Sequence, residues 1–499
     1  MDSFDDQLKV LHVTVEMAPL VKQGGVGDVL MALPKSLCRH SVDARVLLPA
    51  YPGAMECVKN HGYSCSPLAE RIHVALDYKV YSAKVYRAEV EGVPVYLLDQ
   101  PELFTNPNVY PHSLSHASMM PFAFLSLAAL EIPGCTDWKP DIIHTHDWPT
   151  SIVSLALRWH KHYRALRSEY DVVITLHNLA HQGIIDPSII SSWGITKEAL
   201  SIEGLEYYGQ ANLLKGGMIV SDAITAVSPH YSWDIQTPEG GFGLHGVFSN
   251  MKNKLTGILN GIDYDVWSPK NDPLIPAGYS MDDMEGKAVC RKKLIEMCNW
   301  NDDGKPIVTF VGRMVQQKGI DILFTMLDWL MIDNCRAVVI GSGQPQYEEW
   351  AHQFSRTYPD CFWCFMGFND EMAHLAYAGS DITVMPSLFE PCGLSQLIGM
   401  SYGSVPVVRC TGGLADTVID FDGSPDGTGF LFSDYSTDEL LKAMYRAFDV
   451  YYDKPRWQKL VRNAMSADFS WNKSISSYID LYRKLKSGDW GNKDLSFET

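Results

Sequence analysis

A strand, a glycine-rich turn and a helix start occur twice in this chain, once in each half, each time with basic residues beside the turn. In the first half Val10-Leu11-His12-Val13-Thr14-Val15 runs through Glu16-Met17-Ala18-Pro19 to Lys22-Gln23-Gly24-Gly25-Val26-Gly27-Asp28, and a helical pattern follows from Val29 to Leu37. In the second half Ile307–Val311 leads to Gly312-Arg313 and on to Lys318-Gly319, then to a helical run from Ile320 to Leu330. Free backbone N–H groups at such a turn and the dipole of the helix behind it attract anions. Two units of this kind predict two domains that close on one anionic ligand.

At 499 residues the chain exceeds one ordinary hydrophobic core, so two or more domains are expected. A hydrophobic share of 46% with 20% charged residues fits a globular enzyme rather than a disordered chain. The net charge of −18 argues against nucleic acid or an anionic membrane as partner. It also means that an anionic substrate needs a local basic pocket, which the two turns would supply. The 11 cysteines are scattered, several in apolar runs (Cys38, Cys335, Cys361, Cys410), and read as reduced thiols in a reducing compartment. Cys361-Phe362-Trp363-Cys364 has zinc or redox spacing but no second pair, and its surroundings read as a strand. No run approaches the ~18 apolar residues of a membrane span, and Met1–Asp6 lacks the design of a signal peptide. A cytoplasmic setting is expected, or a plastid one if a transit peptide has been removed.

Short β-branched runs at 8–15, 44–49, 84–98, 141–145, 171–176 and 223–227, then at 306–311, 336–340, 381–385 and 405–408, alternate with helical patterns. This alternation predicts an α/β protein of two doubly wound, Rossmann-like domains with parallel sheets, facing a cleft. The polar stretch from Trp267 to Glu285, rich in Pro and Asp, is the expected linker, with the boundary near 264. The segment Asp468–Ser487 has a helical pattern whose packing partner is open.

Ligands of open α/β sheets bind beyond the carboxyl ends of the strands. Polar residues crowd those ends here: His144-Thr145-His146-Asp147-Trp148, His177-Asn178 with His181, Asn260-Gly261-Ile262-Asp263, Phe389-Glu390-Pro391-Cys392-Gly393-Leu394 and Thr411-Gly412-Gly413-Leu414. The first turn reads Gly-Gly-x-Gly, which is neither the dinucleotide fingerprint nor a Gly-Lys-Ser/Thr phosphate loop. Arg313 and Lys318 are spaced to reach one phosphate group, Arg by bidentate contact and Lys as a point charge. His144, His146, His177 and His181 keep a zinc-dependent hydrolase open as a rival. Against it, no cluster in the second half completes a site, and a metal leaves the basic turns unexplained. Asp263-Tyr264-Asp265 and Asp420-Phe421-Asp422 look like a short metal motif but lie in turn-rich sequence. No Gly-x-Ser-x-Gly elbow is present, which argues against a serine nucleophile. Glu390, between a strand end and a glycine-containing helix start, is poorly explained by packing.

Together, Lys22-Gln23-Gly24-Gly25 with Asp28, His146-Asp147-Trp148, His177-Asn178, Asn260-Gly261-Ile262-Asp263, Gly312-Arg313 with Lys318-Gly319, Glu390-Pro391-Cys392-Gly393-Leu394 and Thr411-Gly412-Gly413-Leu414 resemble the bacterial glycogen synthases and plant starch synthases. The resemblance runs in the family's order over residues 8 to 488. It implies a two-domain glycosyltransferase of the B type (GT-B), with an N-terminal acceptor-side catalytic domain at 1–264 and a nucleotide-sugar-binding domain at 265–468. A helix in 469–499 is then expected to cross back to the first domain. The implied activity is that of a retaining hexosyltransferase moving glucose from ADP-glucose to the non-reducing end of an α-1,4-glucan, with no metal or other cofactor.

In that reading Arg313 and Lys318 meet the departing diphosphate, helped by Lys22 and the Gly24-Gly25 turn. Glu390 holds the glucose hydroxyls, His177 lies near the donor sugar, and Asp147 and Asp28 hold acceptor or sugar hydroxyls. Asn178, Asn260, Cys392, Gly393, Leu394, Thr411, Gly412 and Gly413 complete the expected substrate contacts. The expected partners are the donor and the glucan, with neither nucleic acid nor membrane. A catalytically silent glucan-binding scaffold is a second alternative, against which the intact Lys22, Arg313, Lys318 and Glu390 argue. The chain departs from the family in carrying Gln23 where Thr, Val or Ala is usual. Like synthases of this family, it has an apolar residue, Ile398, where related nucleotide-sugar transferases have a second Glu.

Overall fold

The computed structural model describes residues 7–105, 109–330, 334–422 and 424–490. The segment Met1–Asp6, on which the signal-peptide reading falls, lies outside the described residues. The chain forms two compact units, one of Met1–Val227, Ser232–Gly261 and Trp471–Thr499, the other of Ser228–Tyr231 and Ile262–Ser470.

The first unit is built on a nine-stranded sheet, counted among the described residues, whose order is Leu255–Gly257, Ala223–Ala226, Asp171–Leu176, Ile142–His146, Lys9–Val13, Asp43–Pro49, Val93–Asp99, Lys79–Val90 and Cys65–Leu76. The first seven pair in parallel. Their central members are buried along almost their whole length, as expected of strands covered on both faces. The last two pairings are antiparallel, an added margin on the parallel sheet that the sequence predicts. The single run expected at 84–98 is the cause. It breaks at Glu91-Gly92, both with positive φ (51° and 81°), into a hairpin whose turn matches the strand twist. Cys65–Leu76 escaped notice because its buried residues, Ile72, Val74 and Leu76, alternate with exposed ones.

The helix Trp471–Ser487 belongs to this unit and packs on the first helix, Gly25–Arg39. Its inner stripe of Trp471, Ile475, Tyr478, Tyr482 and Leu485 follows helical spacing. Each such side chain, fully buried, contributes about 1.5–3 kcal/mol relative to exposure, which fixes the segment there.

Among the described residues the second unit carries a six-stranded, wholly parallel sheet in the order Phe362–Met366, Arg336–Gly341, Ile307–Val311, Ile382–Met385, Val405–Arg409 and Phe430–Phe432. The expected linker Trp267–Glu285 is instead packed into this unit. Asp272, Ile275 and Tyr279 are buried, Asp272 Oδ2 lies 2.7 Å from His374 Nδ1 and accepts from the Tyr402 hydroxyl at 2.6 Å, and Trp267 stacks on His374 at 4.0 Å. Polar composition suggested a free strand of chain because the partners of Asp272 lie over 100 residues away.

Both sheets have a topological switch. In the first unit Asp43–Pro49 joins one side of Lys9–Val13 and Ile142–His146 the other; in the second, Arg336–Gly341 and Ile382–Met385 flank Ile307–Val311 in the same way. The crevice outside the carboxyl ends at such a point is the usual ligand site.

Candidate functional site

At the switch point of the first unit the turn after Lys9–Val13 is organised by a carboxylate that the sequence reading passed over. Glu16 is 1% exposed. Its Oε2 accepts from the backbone N–H groups of Gln23 (2.8 Å) and Gly24 (3.1 Å), and its Oε1 from the Tyr110 hydroxyl (2.6 Å). Two of the N–H groups expected to be free for an external anion are therefore already satisfied. Gly24 is extended (φ −158°, ψ −170°), and a Cβ there would meet nothing within 4 Å. The fold itself does not demand glycine at 24. Lys22 Nζ lies 2.8 Å from Asp28 Oδ1, pairing two expected site residues across the first helical turn.

Behind this turn stands a buried stack of histidines. His12 and His144 are register partners on adjacent strands. His12 Nδ1 lies 3.2 Å from His146 Nε2, and His146 Nδ1 lies 3.1 Å from His177 Nε2. His144 uses Nδ1 on the Tyr482 hydroxyl (2.8 Å) and Nε2 on Thr175 Oγ1 (2.6 Å). Burial holds His12 and His177 down at about 3 and keeps His144 and His146 well below the usual histidine range, so all four rings are neutral at working pH. His12, His144 and His146 have ligand atoms close enough to suggest a metal centre. However, both nitrogens of His146 are spent on other imidazoles and both of His144 on hydroxyls, whereas zinc needs lone pairs converging at ~2.0–2.1 Å. His181 is exposed, and among the described residues the ligand atoms that converge are those of His12, His144 and His146. The zinc-hydrolase alternative on His144, His146, His177 and His181 is not supported.

Asp147 follows the strand Ile142–His146 in the left-handed region (φ 55°), which few non-glycine residues adopt and Asp tolerates better than most. Its Oδ1 accepts from the N–H of His177 (2.7 Å) and, more weakly, of Asn178 (3.4 Å). Burial pushes its carboxyl up to about 7 against the pull of these donors, and the charge of Glu16 adds to the rise. Asn178 turns its Oδ1 to the N–H of Ala180 (3.1 Å). Asn260 is buried, with no hydrogen-bond partner for its Oδ1 among the described residues. Trp148 packs edge-on against Phe122 at 5.0 Å as a core residue.

The switch point of the second unit brings together Arg313, Lys318 and Glu390 from two loops. Lys318 Nζ lies 2.5 Å from Glu390 Oε2, which also accepts from the Ser387 hydroxyl (3.1 Å), and Glu390 is only 5% exposed. Arg313 is exposed, its guanidinium 3.4 Å from Gln317 Oε1. One cation thus balances the buried carboxylate, and Arg313 has no acidic partner among the described residues. The glycines here are dictated by the backbone. A Cβ on Gly412 (φ 45°) would stand 1.9 Å from the Glu390 carbonyl oxygen, one on Gly413 2.1 Å from that of Cys392, and one on Gly319 (φ 72°) 2.0 Å from that of Pro386. The Thr411-Gly412-Gly413 turn lies flat on Glu390–Cys392, and the Gly413 N–H donates to the Glu390 carbonyl (3.1 Å). Gly393 takes a positive φ (75°), and the side chain of Gln396 donates to the carbonyls of Cys392 (3.1 Å) and Gly393 (3.0 Å), ahead of which Leu394 opens a seven-residue helix. Ile398 is a core residue of that helix. Asp420 and Asp422 are bound to Arg446.

His12, Glu16 and Tyr110 are the contributors the sequence reading missed. Glu16 carried a signal, since it stands between a strand end and a glycine turn as Glu390 does. His12 carried none, because only sheet register sets it opposite His144.

Comparison with known proteins places the chain in a family. The starch synthase catalytic domain family matches residues 9–250, and the family of glycosyl transferases group 1 matches residues 298–464. Glycogen synthase of Bacillus cereus is 37% identical over 481 residues, covering 96% of this chain and all of that protein. Glycogen synthase of Thermotoga maritima is 38% identical over 486 residues, covering 96% and 99%. The catalytic domain of starch synthase IV from Arabidopsis thaliana, solved with ADP and acarbose, superimposes with a TM-score of 0.90 at 32% identity, covering 96% of this chain and all of that one. Sucrose-phosphate synthase from Thermosynechococcus elongatus, at 17% identity and a TM-score of 0.61, shares the fold. With two α/β units and full-length relatives of one kind, the chain belongs to the glycogen and starch synthase family of GT-B glucosyltransferases.

Proposed function

We propose that this enzyme transfers glucose from ADP-glucose to the non-reducing end of an α-1,4-glucan with retention of anomeric configuration. The observation that carries the proposal is the Lys318–Glu390 pair at a switch point, with the exposed Arg313 on the turn that follows Ile307–Val311. The starch synthase whose structure holds ADP and acarbose, and the glycogen synthases aligned over nearly the whole chain, support the choice of donor and acceptor.

The chemical difficulty is to expel a diphosphate while positive charge builds at the anomeric carbon. Arg313 and Lys318 neutralise the leaving group, with Lys22 as a further cation. Charge fixed in place before the reaction is often the largest catalytic contribution, and one lost donor costs roughly 10²–10³ in rate. Glu390, held by Lys318 and Ser387, orients the sugar through its hydroxyls. His177, Asn178 and Asp147 are assigned to the sugar, Asp28 and Asn260 to hydroxyls, and the Cys392–Leu394 and Thr411–Gly413 segments to the donor. Retention follows from attack on the face that the diphosphate leaves, the departing phosphate taking the acceptor proton. The first unit is the acceptor-side domain, the second the nucleotide-sugar domain. The 11 cysteines, none in a disulfide, suit a reducing, cytoplasmic setting. Among the described residues no helix is long and apolar enough to cross a membrane.

Glucose transfer to glycogen from ADP-glucose and from UDP-glucose tests the reading. Faster incorporation from ADP-glucose, with inversion-free α-1,4 linkage in the product, is the expected result. Hydrolysis without chain growth would overturn it.

A further inference from the structure

We propose that His12 and His146 are positioning residues that fix the tautomer of His177, making its Nδ1 a hydrogen-bond donor. The relay stands on the hydrogen bonds of the first unit. Only its consequence for turnover rests on the reading of His177 as a residue beside the donor sugar.

A neutral imidazole carries one N–H and one bare nitrogen. The contacts His12 Nδ1 to His146 Nε2 (3.2 Å) and His146 Nδ1 to His177 Nε2 (3.1 Å) each need one hydrogen. Only two arrangements supply both. In the first, His12 donates to His146, His146 donates to His177, and the proton of His177 sits on Nδ1. In the second every bond is reversed, so His177 carries its proton on Nε2 and His12 carries one on its own Nε2.

The far end of the chain decides between them. His12 Nε2 is sealed from solvent and has no hydrogen-bond partner among the described residues. The first arrangement leaves a bare nitrogen there, the second an unsatisfied N–H. Orphaned buried N–H groups are the rarer and costlier defect, so the first arrangement is selected. Burial supports this by keeping the rings neutral, since a protonated ring would donate from both nitrogens and erase the polarity. The plates are also locked in place. His144 stacks on His146 with ring centres 4.4 Å apart and is itself pinned by Tyr482 and Thr175.

At the near end, His177 Nδ1 has no hydrogen-bond partner among the described residues. A fixed donor at this atom admits one hydroxyl orientation in place of two, and a single geometry is what a positioned displacement requires.

The test is ring-nitrogen NMR on the full chain labelled with ¹⁵N-histidine, with His177 assigned by its loss in H177N. A protonated Nδ1 and bare Nε2 on His177 in the free enzyme is the expected result. His12→Leu removes the first donor and should mix the tautomers, lowering kcat about tenfold with little change in KM. His12→Asn restores an N–H donor and should recover most of both signals. A proton on Nε2 of His177 in the wild type would overturn the proposal, as would an unaltered tautomer in His12→Leu. The wild-type spectrum decides even if the Leu variant does not fold. A tautomer that follows His12 while kcat stays constant would remove His177 from the reaction and leave the relay standing.

Discussion

A Cβ at Gly412 would stand 1.9 Å from the Glu390 carbonyl oxygen, whereas a Cβ at Gly24 would meet nothing within 4 Å. The two turns look alike as strand, glycines and helix, yet their glycines answer to different demands. In the second unit the backbone takes up the space, so Gly319, Gly412 and Gly413 are consequences of how loops pack around Glu390. In the first unit no described atom stands within 4 Å of a Cβ at Gly24, so packing does not account for this glycine, and the proposed contact with substrate does. The carboxylates differ in the same way. Glu16 serves the fold by receiving two backbone N–H groups and a tyrosine hydroxyl, while Glu390 is held by a lysine and a serine side chain, groups that a bound sugar diphosphate can rearrange.

The largest effect is expected at the cations of the second unit. Arg313→Ala and Lys318→Ala should each lower kcat by roughly 10²-fold or more, because the departing diphosphate loses a charge-assisted contact. Their stabilities should differ. Arg313 is exposed with one long contact, so its loss leaves the melting temperature nearly unchanged. Lys318→Ala strands a buried carboxylate and should cost about 3 kcal/mol. Kinetics and thermal melts on the pair separate the two roles, and near-normal turnover in both would remove them from the mechanism.

Next in size is a matched pair of glycine substitutions aimed at the comparison itself. Gly412→Ala forces a methyl into a carbonyl oxygen at positive φ and should destabilise the protein by a few kcal/mol, a size set by strain and overpacking together. Gly24→Ala is extended and uncrowded, so its stability should stay within about 1 kcal/mol of the parent. It should instead raise the KM for the nucleotide sugar. Equal loss of stability in both variants would break the distinction between glycines of the fold and a glycine of the site.

The parallel cores were legible because strands covered on both faces are continuous apolar runs, as at Ile307–Val311, and because polar residues interrupt them only at their carboxyl ends. Lys318 and Glu390 were legible individually for that reason. Their contact was not, since 72 residues separate them and only the strand order of the sheet brings the two loops together. The antiparallel margin was missed where burial is one-sided, in Cys65–Leu76, and where a glutamate rather than asparagine opens the turn at Glu91. The histidines were legible as a cluster but misassigned in membership. His181 is close in sequence but exposed, while His12 reaches the stack through register alone.

A smaller effect concerns Asp147, whose carboxyl is pushed up to about 7. Between the unfolded value near 4 and the folded value near 7, the folded state holds a proton that the unfolded state has lost, so stability falls as pH rises through this window. Asp147→Asn removes the ionisation and keeps a residue that tolerates positive φ. The melting temperature of the variant relative to wild type should therefore climb by about 2–4 °C from pH 4 to pH 7 and then level off. A difference that stays flat across this range would mean that Asp147 ionises as an ordinary exposed carboxylate does, and with it would go the view that the first unit buries its charges.

The smallest expected effect is none at all, on treatment with a chelator. A metal would have to do one of two things here, neutralise the diphosphate or occupy the histidines. The first task is already assigned to Arg313 and Lys318 at the strand ends of the second unit, where no acidic cluster able to hold a divalent ion stands among the described residues, Asp420 and Asp422 being bound to Arg446. The second would require His146 to release both neighbours, because each of its nitrogens shares a hydrogen with another ring. Zinc binding would sever the chain from His12 to His177 and replace two hydrogen bonds by coordination. Glucose transfer measured after dialysis against excess chelator should match that of untreated enzyme. Activity lost on dialysis and restored by zinc would reassign His12, His144 and His146 as ligands, and the tautomer relay would fall with the same result, because a metal-bound His146 cannot pass polarity from His12 to His177.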